Sequence, residues 1–449
     1  MNEPREPRDL REPQVVSRRQ FLSLLGLTSA SAGALLAVPG EASAASKKVS
    51  KRAKVVSGKT LPVGPIPLDP PSSSGSTLSG STGKAGQRTL VVIELQGGND
   101  GFSMLIPSGD GRFRQLRDRV WLEPANMVRL DDRYSVAKGL APLMGNLALV
   151  EGVGVAKPEF SHTEMMARWW QGDPDGNRSV RTGFLGRCCD LLGNTSGISG
   201  ISVGGGFTPS LVSERSATVA LPDVGSLREL TQDQDTRMRP SLSSLTEGGT
   251  DSAGLDSVDA DLLAKARAGM ASGLNLLNGL GGVTGKKNGY PDDSLSGSLS
   301  LVRELISLNQ GIRILHIPWG SFDTHTNQRW SHPDQMNHLG AALGAFRGDL
   351  ARAGLSDRVL VATVSEFGRR PAANAGGTDH GAASTALLMG PVRGGRHGSP
   401  LNFNQLDASG NVAATVSMND YYATLASWLG LPISELMAGG GTPLASIGI

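Results

Sequence analysis

The sequence predicts an α/β protein with a central, mostly parallel sheet between helices, on three observations. Short apolar runs recur along the chain, at Thr89–Leu95, Leu147–Val150, Arg313–Ile317, Val359–Val364 and Ala386–Met389, and the first is closed by glycines. That is how strands buried on both faces read. Segments with helical spacing alternate with them, at Thr163–Gln171, Leu262–Leu277, Ser298–Leu308 and Gln335–Ala353. Finally, seven acidic and histidine side chains stand just after these runs or beside them, at four stations: Asp100; His162; Asp323 with His325; and Glu366, Asp379 and His380. In an open α/β sheet such positions converge at the carboxyl ends of the strands, which suggests one metal-binding pocket.

The chain has 449 residues and a formal net charge of +2, a balance that does not favour a nucleic acid or another polyanion as partner. Residues 1–45 read as a twin-arginine signal peptide. Ser17-Arg18-Arg19-Gln20-Phe21-Leu22 opens it, an uncharged run extends from Phe21 to Val38, Pro39-Gly40 breaks the run, and Ala42-Ser43-Ala44 offers a small-residue cleavage site. The run could instead serve as an uncleaved anchor, but its Gly, Ser, Thr and Ala content weakens that alternative. Twin-arginine export carries folded proteins, so the expected partner during export is that translocon, and the expected place is periplasmic, cell-wall-associated or extracellular. Residues 46–87 lack apolar periodicity and hold Lys47, Lys48, Lys51, Arg52, Lys54 and Lys59 among Ser, Pro and Gly, the composition of a disordered basic linker that could touch the cell envelope. The folded α/β domain is expected over 88–449, enough chain to bury a large core, with a Gly- and Ser-rich insertion at about 231–293. Cys188 and Cys189 are adjacent at helical spacing, which predicts buried free thiols and no bridge.

Each station carries a structural alternative beside its chemical one. Leu95-Gln-Gly-Gly-Asn-Asp-Gly101 places Asp100 after the first strand with its carboxylate free at the sheet edge, unless it merely bonds its own backbone in a turn. Phe160-Ser-His-Thr starts a helix, where Ser161 or Thr163 can cap the backbone or act as a nucleophile favoured by the helix dipole, and His162 beside them points to a site. Phe322-Asp-Thr-His puts Asp323 and His325 two residues apart, on one side if the segment is extended, unless the pair is simply a hydrogen-bonded turn. His332 and His338 follow on a loop and helix and read as surface or supporting residues. Ser365-Glu-Phe-Gly-Arg369 ends a strand, and Gly377-Thr-Asp-His-Gly381 returns with Asp379 and His380 on a glycine-flanked loop. Arg369 there suits an enzyme that holds phosphate or sulfate, or else pairs with Glu366.

The order and spacing of these motifs, together with the leader, resemble the exported bacterial family called domain of unknown function 1501, from about Arg88 to the C-terminus. That family looks like a divergent branch of the alkaline phosphatase and sulfatase superfamily. The resemblance implies an alkaline-phosphatase-like three-layer sandwich and a two-metal site. By resemblance Asp100 binds a metal, Ser161 or Thr163 is the nucleophile, and Asp323, His325, Glu366 and His380 complete the coordination with Asp379 nearby. The sequence departs from the superfamily at Glu366-Phe367-Gly368, where Asp-His-Gly is usual, so Phe367 removes one ligand that His162 could replace. It also lacks a sulfatase-type Cys-x-Pro-x-Arg context.

The expected function is hydrolysis of a small anionic ester, a phosphate ester before a sulfate ester, by a metal-activated hydroxyl or water with Arg369 stabilising charge. The expected cofactor is one or two divalent ions, zinc first, with manganese, iron or calcium open. The alternative is a secreted binding or cell-envelope protein that keeps the fold, with or without a structural metal, and turns nothing over.

Overall fold

Thr89–Leu95 has no polar face to offer water, and every one of its residues is buried. The computed structural model of the protein describes residues 88–177, 180–193, 198–222, 289–308 and 311–449. The expected signal peptide, linker and Leu262–Leu277 helix lie outside the described residues, as does the expected insertion except for 289–293. In chain order the strands are β1 (Thr89–Leu95), β2 (Leu105–Ile106), β3 (Met127–Arg129), β4 (Ser135–Ala137), β5 (Leu147–Gly154), β6 (Ile198–Val203), β7 (Ala217–Leu221), β8 (Ile314–Trp319), β9 (Val359–Val364), β10 (Gly368–Ala373), β11 (Thr378–Gly381), β12 (Ala383–Met389), β13 (Gly395–His397) and β14 (Val416–Ser417). The α-helices are α1 (Gly101–Met104), α2 (Gly111–Leu116), α3 (His162–Gln171), α4 (Phe184–Leu192), α5 (Ser294–Ser307), α6 (Gln328–Arg352), α7 (Met418–Leu429) and α8 (Ile433–Leu436).

Among the described residues the main sheet has nine strands in the order β13-β5-β12-β9-β1-β8-β6-β7, with β14 beside β5. β1 lies between β9 and β8 and is parallel to both. Among these described strands only β12 runs against its neighbours, β5 and β9. The α/β class and the mostly parallel sheet are therefore as the sequence predicts. Period-2 alternation in β1 divides the core into two layers. Val91, Ile93 and Leu95 pack with Leu299, Leu339 and Phe346 of α5 and α6, while Leu90 and Val92 pack with Met165, Trp169, Phe184 and Tyr421 of α3, α4 and α7.

Helix ends follow local chemistry. Ser417 caps α7 by accepting from Asp420 N at 3.1 Å, and Asp293 caps α5 by accepting from Ser296 N at 2.8 Å. Helices α3 and α7 stop at Gly172 and Gly430 in the left-handed region. Cys188 and Cys189 are buried free thiols on α4, and burial pushes the Cys188 thiol up to about 12, so neither is poised as a thiolate. Among the described residues no helix is long and apolar enough to cross a membrane.

The sequence pattern does not anticipate β6, β7 or the β10–β11 pair. Ile198-Ser-Gly-Ile-Ser-Val203 carries a glycine and two serines that weaken its strand signal. Gly200 is needed there, because a Cβ would come within 2.9 Å of Cys189 Sγ on α4. The segment expected as a loop around Asp379 and His380 is strand β11, paired antiparallel with β10. The difference matters for the site, since pairing Arg369 with His380 fixes both side chains relative to the sheet.

Candidate metal centre

Because β1, β5, β8 and β9 all run the same way, the segments after them emerge at one edge of the sheet. β12 runs the other way, so the β10–β11 hairpin between β9 and β12 returns to that same edge. At this edge Gly97 and Gly98 have φ of +114° and +76°. A Cβ on Gly97 would collide with Asp323 N and one on Gly98 with the Phe367 ring, so glycine is what allows the β1 loop to lie against the other two segments. The β8–α6 segment carrying Asp323 and His325 is bracketed by Ser321 and Asn327, which among the described residues are the two non-glycine positions with positive φ, at 84° and 58°. Strained backbone of this kind persists only where surrounding structure over-determines it, as at functional sites.

His162, His325 and His380 direct their Nε2 atoms at one carboxylate, that of Asp323. The separations are 3.5 Å from His162 Nε2 to Oδ2, and 3.1 and 3.3 Å from His325 and His380 Nε2 to Oδ1. The Nε2 atoms of His325 and His380 are 3.0 Å apart. Among the described residues, His162, Asp323 and His380 form the group whose ligand atoms all lie within 4.8 Å of one another, and His325 adjoins it. Donor atoms bonded at ~2.0 Å around a tetrahedral ion stand about 3.3 Å apart. The observed spacings bracket that value.

The far side of each ring is occupied too. His162 Nδ1 lies 2.8 Å from Glu366 Oε1, His380 Nδ1 lies 2.8 Å from the Phe160 carbonyl oxygen, and His325 Nδ1 lies 3.4 Å from Asp379 Oδ1. An acceptor at Nδ1 draws the proton there and leaves Nε2 a free lone pair facing the cluster, the usual arrangement of metal-binding histidines. Phe367 stacks on His380 with centroids 4.1 Å apart and tilts against His162 at 4.9 Å, so its ring steadies two imidazoles.

Electrostatics keep the carboxylates ionised. Burial alone would raise the Asp323 carboxyl, but the hydrogen bond from Arg369 and the charge of its guanidinium oppose that and hold it below the ordinary range. Asp379 is likewise held low, against the effect of burial, by Asn374, Arg370 and His325. Burial lowers the His380 imidazole, with the Phe160 carbonyl opposing, which favours the neutral ring that a ligand must be. Three imidazoles and a carboxylate suit zinc, manganese or iron better than calcium, so these residues fit a divalent transition metal.

The structure brings His162, Asp323, His325 and His380 together, with Glu366 and Asp379 behind two of the rings. Asp100 lies elsewhere. Its carboxylate, expected free at the sheet edge, is fully buried and accepts two bonds from Arg117 at 2.6 and 2.9 Å, one from Ser103 Oγ at 2.5 Å and one from Gln328 Nε2 at 2.6 Å. Those donors fill a carboxylate's acceptor sites. Arg369 is also fully engaged. It donates to the carbonyls of Gly97, Gly98, Phe322 and Thr378 and to Asp323 Oδ1 at 2.7 Å, and not to Glu366. Its guanidinium thereby ties three loops together. His332 is buried within α6, not at the surface, and its Nε2 lies 3.0 Å from Asn99 Oδ1, whereas His338 is exposed on the same helix. Ser161 takes the N-cap position of α3 without a side-chain capping bond, and both it and Thr163 are exposed. Sequence reasoning missed Arg117, Gln328 and the supporting Trp169 and Trp170, whose indole N–H groups donate to the Glu366 carbonyl at 3.0 Å and to Glu94 Oε2 at 2.7 Å. Two adjacent tryptophans in a chain with only 4% aromatic residues were the available signal for the last pair.

Residues 297–445 match the sequence profile of a family described as protein of unknown function (DUF1501), so the resemblance read from the motifs is shown over that span. The span holds Asp323, His325, Glu366, Asp379 and His380, while Asp100 and His162 precede it. No curated protein matches the chain. Among solved structures, the chain is similar to the lipoteichoic acid synthase LtaP from Listeria monocytogenes, at 8% identity with 79% of this chain and 74% of that chain covered and a TM-score of 0.37. It is similar to a protein in the alkaline phosphatase superfamily from Vibrio parahaemolyticus, at 12% identity over 77% and 67% of the two chains with a TM-score of 0.32. It is also similar to the C-terminal periplasmic domain of EcEptC from Escherichia coli in complex with zinc, at 10% identity over 77% and 83% with a TM-score of 0.35.

Proposed function

We propose that the protein is an exported hydrolase of phosphate esters, dependent on a divalent metal held by His162, Asp323, His325 and His380. One observation carries the reading: three imidazoles aim Nε2 at a single carboxylate while each Nδ1 faces its own acceptor. Glu366 and Asp379 then orient rings and are not ligands. A bound ion would supply Lewis acidity, lowering the pKa of a coordinated water or hydroxyl and polarising an ester oxygen.

The protein's own groups would do the rest. Ser161, exposed at the start of α3 and free of a capping bond, is placed where the helix dipole favours developing negative charge, and Thr163 is the other hydroxyl of that turn. The neutral His380 ring cannot itself donate charge, so its contribution is ligation. Export by the twin-arginine route and a periplasmic or extracellular location belong to this reading through Arg18, Arg19 and the uncharged run after them. The alternative, a binding protein without turnover, draws on Phe367, which fills the place of a superfamily ligand.

Elemental analysis of protein purified without affinity metals tests the reading, beside Asp323→Ala and His380→Ala. Bound zinc, manganese or iron that both variants lose, with hydrolysis of 4-nitrophenyl phosphoesters by the wild type, is expected. Wild type that stays metal-free after reloading would sink it, and metal without turnover would favour the binding protein.

A further inference from the structure

The two-metal site that the resemblance implies needs donors for a pair of ions, which act together at a separation of ~3.5–4 Å. A catalytic ion usually draws about three ligands from the protein. The cluster offers the Nε2 atoms of His162, His325 and His380 and the carboxylate of Asp323. Arg369 already donates to Asp323 Oδ1 at 2.7 Å, so Oδ2, which lies 3.5 Å from His162 Nε2, is the oxygen without an arginine on it. Three imidazoles and that carboxylate are a full set for one ion. Even with Asp323 bridging, they are too few for two.

The other carboxylates at this edge are committed. Asp100 has its acceptor sites filled, and the guanidinium that holds it is itself fixed, since Arg117 Nε donates to the Pro371 carbonyl at 2.8 Å and Nη2 to the Arg370 carbonyl at 3.0 Å. An arginine does not release a carboxylate to an ion by losing its proton, because it stays charged throughout the working pH range. Glu366 Oε1 accepts from Gly97 N at 2.8 Å and faces His162 Nδ1, while Oε2 accepts from Ser365 Oγ at 3.2 Å. Asp379 accepts from Asn374 Nδ2 at 3.1 Å and stands on the Nδ1 side of His325, away from the cluster. Among the described residues, the ligand atoms that gather within 4.8 Å of one another are those of His162, Asp323 and His380.

We propose that the protein binds one divalent ion and excludes a second, because arginines already hold the carboxylates that a second would need: Arg117 on Asp100 and Arg369 on Asp323. The inference rests on the metal-dependent reading and fixes the make-up of its site. Both guanidinium groups are buried, so the positive charge that another ion would bring is built into the chain. A mechanism in which paired ions clamp the attacking and the leaving oxygens is thereby closed to this protein. The single ion and the groups of the chain meet the charge that develops on the ester.

The test uses the wild-type chain purified without affinity metals, loaded with zinc or with manganese, desalted, and counted by elemental analysis. Anomalous X-ray scattering then places the zinc, and electron paramagnetic resonance reports whether the manganese is isolated or coupled to a neighbour. Expected are one equivalent per chain, one anomalous peak among His162, Asp323, His325 and His380 with none beside Asp100, and the spectrum of an isolated manganese ion. Asp323→Ala should lose that equivalent, and an equivalent that survives in this variant reveals a second site and overturns the inference. Two equivalents in wild type with a coupled manganese spectrum, or a peak within bonding distance of Asp100, also overturn it while leaving the hydrolase reading intact. A wild type that takes up neither metal overturns both.

Discussion

His332 lies fully buried, and burial pushes its imidazole down to about 4 from the ordinary 6.5, with Asp100 opposing the fall and Arg117 and Arg369 adding to it. In the unfolded chain the ring takes up a proton near pH 6.5, and in the folded chain only near pH 4. Between those values the unfolded state binds more protons, so stability declines as pH falls through the window, by at most about 3 kcal/mol. His332→Gln should flatten the dependence of unfolding free energy on pH from 7 to 4.5, measured in urea. A slope equal to wild type's would assign the acid sensitivity elsewhere. Asp100 behaves differently because it stays charged. Burial opposes ionisation, but Arg117 overcomes it and holds the carboxyl below its ordinary range, so its contribution is present above that range and lost only as pH falls through the depressed folded value. Removing one partner of a buried pair strands the other's charge. Asp100→Ala should cost about 3–5 kcal/mol in a denaturant titration, far more than an exposed carboxylate would.

At the scale of elements, α3 matters most because it carries Ser161 and His162 at one end and is held at the other. Trp169 donates to the Glu366 carbonyl at 3.0 Å, Trp170 donates to Glu94 Oε2 at 2.7 Å, and the Tyr422 hydroxyl donates to the Trp169 carbonyl at 2.7 Å. Glu94 is buried on β1 and also faces His316 Nε2 at 3.1 Å, so its carboxylate joins the helix to two central strands. Trp170→Phe keeps the aromatic packing and removes one donor to a buried charge, at a cost of roughly 1.5–3 kcal/mol. Thermal unfolding should register that loss, and metal affinity should weaken with it if α3 shifts His162. Unaltered stability would show that water replaces the indole. Gly98→Ala probes the β1 loop in the same way. It adds a Cβ at φ +76° against the Phe367 ring, so loss of metal without loss of the fold is the expected result, read by elemental analysis beside circular dichroism.

For the whole molecule, a metal bound only by the folded state adds RT ln(1 + [L]/Kd) to stability, about 2.7 kcal/mol at 100 Kd. Chelation should therefore lower the unfolding temperature of metal-loaded wild type and leave Asp323→Ala unmoved. An identical response in both proteins would place the chelator's effect outside this cluster. The architecture explains why one ion could join segments so far apart in the chain. Parallel strands β5, β1, β8 and β9 deliver His162, the glycine loop, Asp323 with His325, and Glu366 to one edge, and the single antiparallel strand β12 brings Asp379 and His380 back to it.

Continuous apolar runs and helical spacing determined the sheet's central strands and its flanking helices, because burial on both faces leaves no freedom in residue type. The same alternation determined that Asp323, His325, Glu366, Asp379 and His380 would meet, since the carboxyl ends of parallel strands share an edge. Three matters were decided only in three dimensions. Asp100 is an aspartate like Asp323, and Arg369 an arginine like Arg370, but their partners, Arg117 and the Phe322 carbonyl, lie 17 and 47 residues away on other segments, so no local pattern could distinguish a buried tie from a free ligand. Strands β6 and β7 were hidden by small residues, of which Gly200 makes room for α4. The orientation of each imidazole was set by an acceptor on another element, Glu366, Phe160 or Asp379. Residue type states which chemistry is available, and packing between distant segments decides which way each donor points.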